Sequence, residues 1–399
     1  MDERLSFGLI GLAAIIGVLL APFIQPPWVF SILVILISII LALIRMTRYS
    51  AIGIIILALL YGIGLLPLVI FLSTFVIIIF GEAAFRLAKT TYPYLAYILT
   101  ALSGTILIMF YLGELAPLVA ILGVTVALLL KTALKKRRDA RMITTLGVGF
   151  TMYLFAEIHA TVQTSLLLVA VIIAFTFGYS AYRAKSADLS GLFSGALMGI
   201  LLIVFADVRW FLIMLAFFII GSGLTHYKFS QKTDLGVAES HGGVRGYMNV
   251  FANGLVSVAA AILFGITGNP VFIAMYLGSV AAAAADTTAS EVGVVGKQPY
   301  LITTFKQVPR GTDGGITAFG TFAAILSALA ISIVALLLNV ADPAMVIIGT
   351  LAGLAGTTVD SLVGATLERS GRLGNSGTNF FCTLSGGLVG LILYALWIL

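Results

Sequence analysis

Runs of roughly 17–25 apolar residues recur from one end of this chain to the other, and few architectures can accommodate them. In a hydrocarbon core no water is present to satisfy the backbone. Each run must therefore close its own hydrogen bonds as a helix, because a membrane barrel would show short alternating strands instead. Charged residues make up 10% of the chain, against about 25% in soluble domains, which excludes a soluble fold. The expected fold is an all-α polytopic transmembrane helical bundle. Helices are placed near 5–21, 28–44, 51–66, 67–84, 94–112, 117–134, 142–157, 164–178, 190–205, 210–225, 248–266, 271–289, 316–338, 344–363 and 379–397, about 15 spans in all. The N-terminal segment shows no evident cleavage site, so its apolar run is read as a retained helix.

The loop charges alternate with this count. Arg45, Arg48, Arg86 and Lys89 fall in one set of loops, followed by the run Lys135–Arg141 and by Arg183 and Lys185. Lys228, Lys232, Arg245, Lys297, Lys306, Arg310, Arg369 and Arg372 continue that set, while Arg209 stands in the other. By the positive-inside rule the N-terminus is then cytoplasmic and the C-terminus outside, in the cell (cytoplasmic) membrane. The same rule accounts for the net charge of +6, and KKRRDAR at 135–141 reads as an anchor on anionic lipid; no nucleic-acid partner is expected. A single cysteine, Cys382, excludes an internal disulfide and a cysteine-rich metal site. His159, His226 and His241 lack metal-ligand spacing. Glu82, Glu114, Glu157 and Asp207 lie near span ends and are expected to be solvated or paired.

Composition also divides the chain. Early helices are rich in Ile, Leu and Phe, whereas Gly, Ala, Ser, Thr and Asn rise steeply from about residue 190. Small residues let helices pack closely in lipid, so residues 1–160 are read as accessory transmembrane helices and 161–399 as the catalytic transmembrane core.

Four polar features converge in that core. Asn249, Asn253 and Ser257 are four apart and share a helix face. Asp286 with Ser290, and Thr287 with Glu291, form two adjacent stripes at the end of an apolar helix. The loop that follows carries Lys297, Thr303, Thr304, Lys306 and Arg310 and closes on Gly311-Thr312-Asp313-Gly314-Gly315. Gly349, Gly353, Gly356, Asp360 and Gly364 make a close-packing stripe with one carboxylate in it, ahead of a loop holding Thr366, Arg369, Asn375 and Asn379. A carboxylate within a span is costly and points to function. Paired carboxylates suit a divalent cation, and a cationic glycine-rich loop suits phosphate. The glycine segment is not a Walker motif, since the Gly-Lys-Ser/Thr ending is absent; Thr312 or Asp313 could instead be a helix N-cap. The segments 278–293 and 353–368 resemble each other weakly, as an internal duplication around a shared site would.

The stretches RGYMNVFANG (245–254), ADTTASEVG (285–293), LITTFKQVPRGTDGG (301–315) and GTTVDSLVGATLER (356–369) stand in this order. Together they resemble the integral membrane family that includes transmembrane protein 19 and the phytyl-phosphate kinase of plant tocopherol biosynthesis. The resemblance covers roughly residues 165–399; the family often has asparagine where this chain has Asp313. It implies phosphorylation of a prenyl monophosphate (phytyl, geranylgeranyl or farnesyl) to the diphosphate at the cytoplasmic membrane face. The donor would be a nucleoside triphosphate, with CTP a candidate by analogy with polyprenol kinases. The residues supply what such chemistry needs, which is mainly positioning and charge neutralisation. Asp286, Glu291 and Asp360 could hold Mg²⁺; Lys306, Arg310 and Arg245 could neutralise phosphate oxygens. Asp286, Lys306 and Asp360 are the expected catalytic residues. Asn249, Asn253, Thr287, Ser290, Thr303, Ser361, Thr366, Arg369, Asn375 and Asn379, with the Gly311–Gly315 backbone, are expected to bind substrate or nucleotide. Two other readings use similar groups: a CTP-dependent cytidylyltransferase or lipid-alcohol kinase, and a transporter or flippase of a phosphorylated lipid.

Overall fold

The computed structural model describes residues 15–44, 47–88, 92–236 and 243–398. Arg45, Lys89, His241 and most of the expected span 5–21 lie outside the described residues. The chain divides into two compact units, Met1–Thr164 and Ser165–Leu399. Helices in the first are α1 (Pro27–Leu43), α2 (Arg48–Gly62), α3 (Leu68–Leu87), α4 (Pro93–Tyr111), α5 (Pro117–Ala133) and α6 (Ala140–Glu157). Three of them begin with proline, which lacks the N–H that would be orphaned there. Glu82 on α3 accepts hydrogen bonds from Arg86 (2.8 Å) and Lys131 (2.5 Å), so this buried-edge carboxylate is paired.

The second unit contains α7 (Thr164–Arg183), α8 (Leu189–Phe205), α9 (Val208–His226), the short α10 (Phe229–Asp234), α11 (Tyr247–Thr267) and α12 (Val271–Gly293). A two-stranded antiparallel sheet follows, β1 (Tyr300–Leu301) with β2 (Gly315–Ile316). Then come α13 (Ala318–Leu337), α14 (Pro343–Val363), a π-turn over Gly364–Glu368, and α15 (Asn375–Ile398). Asp188, Asp207 and Asp342 cap α8, α9 and α14 by accepting from the N–H of Gly191, Arg209 and Met345.

The bundle is all-helical, but the expectation of about 15 spans is corrected. Among the described residues, nine helices are long and apolar enough to cross a membrane. The helices α1, α2, α5 and α8 are apolar but have at most 17 residues. At 1.5 Å per residue such a helix reaches about 25 Å, short of a hydrocarbon core of about 30 Å. An apolar run in a sequence does not reveal how many of its residues the helix will use.

The core of the second unit is α12, against which α11, α13, α14 and α15 all pack. Its run Ala281–Ala285 is buried and carries nothing larger than a methyl group. The facing positions are glycines: a Cβ on Gly356 would lie 2.5 Å from Ala282 Cβ and 2.7 Å from the Cys382 carbonyl. One on Gly386 would meet the Gly278 carbonyl at 2.6 Å. Backbones this close are what small-residue stripes permit in lipid, where no hydrophobic force drives helices together.

Candidate active site

Asp286 lies near the end of α12 and Asp360 near the end of α14, and the contact between those helices brings them together. An oxygen of each carboxylate and the Cys382 Sγ lie within 4.8 Å of one another. Both carboxylates open into a cavity of about 320 Å³. Cys382 itself is buried, and its thiol faces the Ala282 carbonyl at 3.6 Å.

The loop after α12 closes over this cavity because glycine lets it. The β1–β2 pair sets Leu301 opposite Gly315, and the Ile302 N–H donates to the Gly314 carbonyl at 3.0 Å. Gly314 has a φ of +75°, and a Cβ there would lie 2.5 Å from the Ala365 nitrogen and 2.6 Å from the Ser361 carbonyl. Only a residue without a side chain can hold the loop so tightly against the end of α14. The helix entry lies further on: Thr317, not Thr312 or Asp313, caps α13 by accepting from the Gly320 N–H. The Thr312 hydroxyl instead donates to the Pro309 carbonyl at 2.7 Å.

Most of the expected site residues meet at this cavity. Arg245, Asn249 and Asn253 line it from α11 and its entry, and Thr287, Ser290 and Glu291 from α12. Arg310 and the Gly311–Gly315 segment form the loop side. Asp360 and Ser361, with Asn375 and Asn379, complete it from α14 and α15. Four expected residues do not line it. Thr303 and Lys306 sit on an exposed turn of the loop, and Thr366 and Arg369 are exposed beyond the end of α14.

Two lining groups behave differently from the rest. Glu291 accepts a hydrogen bond from the buried Lys232, whose ammonium also donates to the Leu224 carbonyl at 2.8 Å. The group of residues close enough to share an ion contains Asp286 and Asp360 but not Glu291. Breaking a buried ion pair strands the surviving charge. Lys232→Met should cost about 3 kcal/mol, read as an earlier unfolding midpoint in detergent; an unchanged midpoint would show that the pair contributes nothing.

Glu368 also lines the cavity, and residue patterns did not single it out. It accepts from the Thr378 hydroxyl at 3.0 Å. It ends the π-turn, a local widening of the helix that recurs at functional sites. The signal available beforehand was its spacing of eight, about two turns, from Asp360.

Polar satisfaction separates this cavity from the rest of the unit. Six buried side-chain polar atoms lack a hydrogen-bond partner among the described residues, and two of these, on Ser73 and Thr105, belong to the first unit. The remaining four are Asn253 Oδ1, Arg310 Nε, Thr357 Oγ1 and Asp360 Oδ1, and all four residues line this cavity. Buried groups of this kind are normally satisfied, and leaving one unpaired costs about 1–3 kcal/mol. Their concentration here fits a polar, charged ligand. Hard oxygen donors at this spacing suit Mg²⁺, which takes oxygen rather than thiol ligands, so Asp286 and Asp360 fit that ion better than Cys382 does.

Comparison with known proteins gives a consistent picture. The family described as integral membrane protein DUF92 matches residues 172–387. The uncharacterized membrane protein MJ0933 of Methanocaldococcus jannaschii is 37% identical over 229 residues, covering 57% of this chain and 94% of that protein. Protein PGR of Arabidopsis thaliana is 33% identical over 251 residues, covering 56% of this chain and 83% of its own length. Protein VTE6, chloroplastic, of Arabidopsis thaliana is 32% identical over 185 residues, covering 45% and 56%. No solved structure matches the chain.

Proposed function

The chain belongs to the integral membrane protein family DUF92, and from that membership and the geometry of the acidic cavity we propose that it is a prenyl-phosphate kinase of the membrane. It transfers the terminal phosphoryl group of a nucleoside triphosphate to a prenyl monophosphate. The observation that carries this reading is the coincidence, in one cavity, of two close carboxylates and the four orphaned polar atoms found among the described residues of the second unit. The motif resemblance to the phytyl-phosphate kinase family supports the choice of acceptor.

In this reading an oxygen of the prenyl phosphate attacks the γ-phosphorus. The bond from that phosphorus to the β–γ bridging oxygen breaks, and the nucleoside diphosphate leaves with its electron pair. The acceptor is already an anion, so no strong general base is required. Asp286 and Asp360 would hold Mg²⁺, which would supply positive charge to offset the negative charge that builds in the transition state. Arg245 and Arg310, both on the cavity wall, take the cationic role towards phosphate, since a guanidinium matches phosphate oxygens in pairs. Asn253, whose unpartnered oxygen can accept from an N–H or O–H of the nucleotide, and Asn379 orient the bound ligands. Lys306 lies outside the wall and is not assigned to direct contact. The basic residues Lys297, Lys306, Arg310, Arg369 and Arg372 in the surrounding loops support a cavity that faces the cytoplasm.

The test is turnover by detergent-purified protein with Mg²⁺. The donors are CTP, ATP, GTP and UTP; the acceptors are farnesyl, geranylgeranyl and phytyl monophosphates, with the free alcohols as controls. Prenyl diphosphate and nucleoside diphosphate are expected from the monophosphates. Pyrophosphate release with a CMP-linked lipid would replace this reading by cytidylyl transfer, and product from the alcohols by a lipid-alcohol kinase. A folded protein that binds no nucleotide would point to transport of a phosphorylated lipid.

A further inference from the structure

A second cavity, of about 340 Å³, adjoins the first. It lies within the second unit, among α7, α8, α9 and α11. Its chemistry is opposite to that of the acidic cavity: the walls are mainly alanine, glycine, methionine, leucine and phenylalanine. The residues common to both are Arg245, Asn249 and Asn253. Its lining also includes Phe177 on α7 and Ile219 on α9, which are 41% and 61% exposed on helices long enough to span a bilayer. The cavity therefore meets a polar site at the shared residues and also reaches the apolar outer surface.

The position of Arg245 at the junction is built into the fold. Its N–H donates to the Ser186 carbonyl, and its own carbonyl accepts from the Asp188 N–H. A Cβ on Gly191 would lie 2.2 Å from the Arg245 carbonyl oxygen, so that glycine admits the backbone. A Cβ on Gly221 would lie 2.5 Å from Arg245 Nη2, so that glycine admits the guanidinium. The guanidinium then rests over the rings of Phe217 and Phe218, at 5.5 and 5.2 Å, both of which line the apolar cavity.

We propose that this apolar cavity is the tail site of the lipid acceptor, and that Arg245 binds the acceptor's phosphate where the two cavities meet. The inference rests on the kinase reading for the identity of the lipid. An amphiphile with a charged head and an unsaturated branched tail matches both cavities at once. Aromatic walls suit a polyene, and Met198 and Met214 give the wall flexible, polarizable side chains that adapt to a branched chain. The exposed rim lets the tail enter sideways from the bilayer without crossing water. Two cavities joined at a guanidinium also place the acceptor phosphate beside the nucleotide without moving the tail.

Gly195 provides a clean test. It lines the apolar cavity within α8, and a Cβ there would meet nothing within 4 Å. The first carbon added by Gly195→Leu or Gly195→Phe is therefore accommodated, and the rest of each side chain should occupy the cavity, while helix propensity rises. The probe is a geranylgeranyl monophosphate analogue carrying a photoactivatable diazirine near the end of its tail, used on the full chain in detergent. Labelling is expected on peptides spanning 174–219, with geranylgeranyl monophosphate competing and phosphatidylglycerol not. Each Gly195 variant should reduce labelling about tenfold or more, with the loss of turnover larger for geranylgeranyl than for dimethylallyl monophosphate. Unchanged nucleotide binding and gel-filtration behaviour show that the variants are folded. Labelling elsewhere, full labelling of folded Gly195→Phe, or equal competition by phosphatidylglycerol overturns the tail site. Phosphoryl transfer with any of those results leaves the kinase reading standing. Labelling that meets the expectation in a protein without phosphoryl transfer keeps the lipid site and removes the kinase.

Discussion

Asp286→Asn and Asp360→Asn each lower Mg²⁺-dependent phosphoryl transfer by about 10³-fold or more, while the protein remains folded. The size follows from the chemistry, since phosphoryl transfer depends almost wholly on positioning and charge stabilisation, and a single charged group can supply a factor of 10³–10⁵. Folding should not suffer, because the carboxylates cost the apoprotein energy. Their oxygens lie within 4.8 Å of one another, and two full negative charges at that separation or less would repel by about 3 kcal/mol or more at an effective dielectric constant near 20. Asp360 Oδ1 is also buried without a donor. Asparagine keeps the shape and removes the charge. In chelator, the unfolding midpoint of each variant should equal or exceed that of the unsubstituted protein. With Mg²⁺ added, the unsubstituted protein should gain stability and the variants little, as linkage to a ligand of the folded state requires. A structural role predicts the reverse, with early unfolding in chelator and no dependence on metal. Unimpaired turnover in either variant would remove that residue from the site.

The parts of this site that could be read beforehand were those whose presence is expensive. An aspartate in a run such as Gly-Ser-Val-Ala-Ala-Ala-Ala-Ala-Asp has no cheap structural explanation, and Asp360 stands out equally in its glycine stripe. Helical class was legible for the same reason, because an apolar run of that length has few alternatives in lipid. The number of spans was not, since helices such as α5 and α8 stop short of a bilayer's thickness while their sequences look no less apolar than their neighbours. Pairing at long range was also hidden. Glu291 looks like a ligand until Lys232, 59 positions earlier, is found against it. Lys306 and Arg310 are equivalent by charge and loop, yet only Arg310 turns into the cavity, where its Nη2 donates to the Gly296 carbonyl at 2.7 Å. Glu368 was obscured by the π-turn, which alters the register that ordinary helical spacing assumes.

Gly356→Ala is expected to separate catalysis from folding at a position one turn from Asp360. The two carboxylates meet only because α12 and α14 touch, and Gly356 is at that contact. The added methyl would lie 2.5 Å from Ala282 Cβ and 2.7 Å from the Cys382 carbonyl. Neither neighbour is a flexible side-chain end, so the helices themselves must shift. A displacement of about 1 Å is enough to cost on the order of 10²-fold in rate when reacting groups are held in place by the scaffold. Turnover should therefore fall about 100-fold with helical content preserved, and Mg²⁺ should protect the variant less against heating. Adding Ala282→Gly relieves the first clash and leaves the second, so recovery should be partial. Gly356→Leu demands a larger displacement and should fail to yield a monodisperse protein. Full turnover by Gly356→Ala would mean that the carboxylates need not approach as closely as the α12–α14 contact holds them, and the shared-cation reading of Asp286 and Asp360 would fail with it.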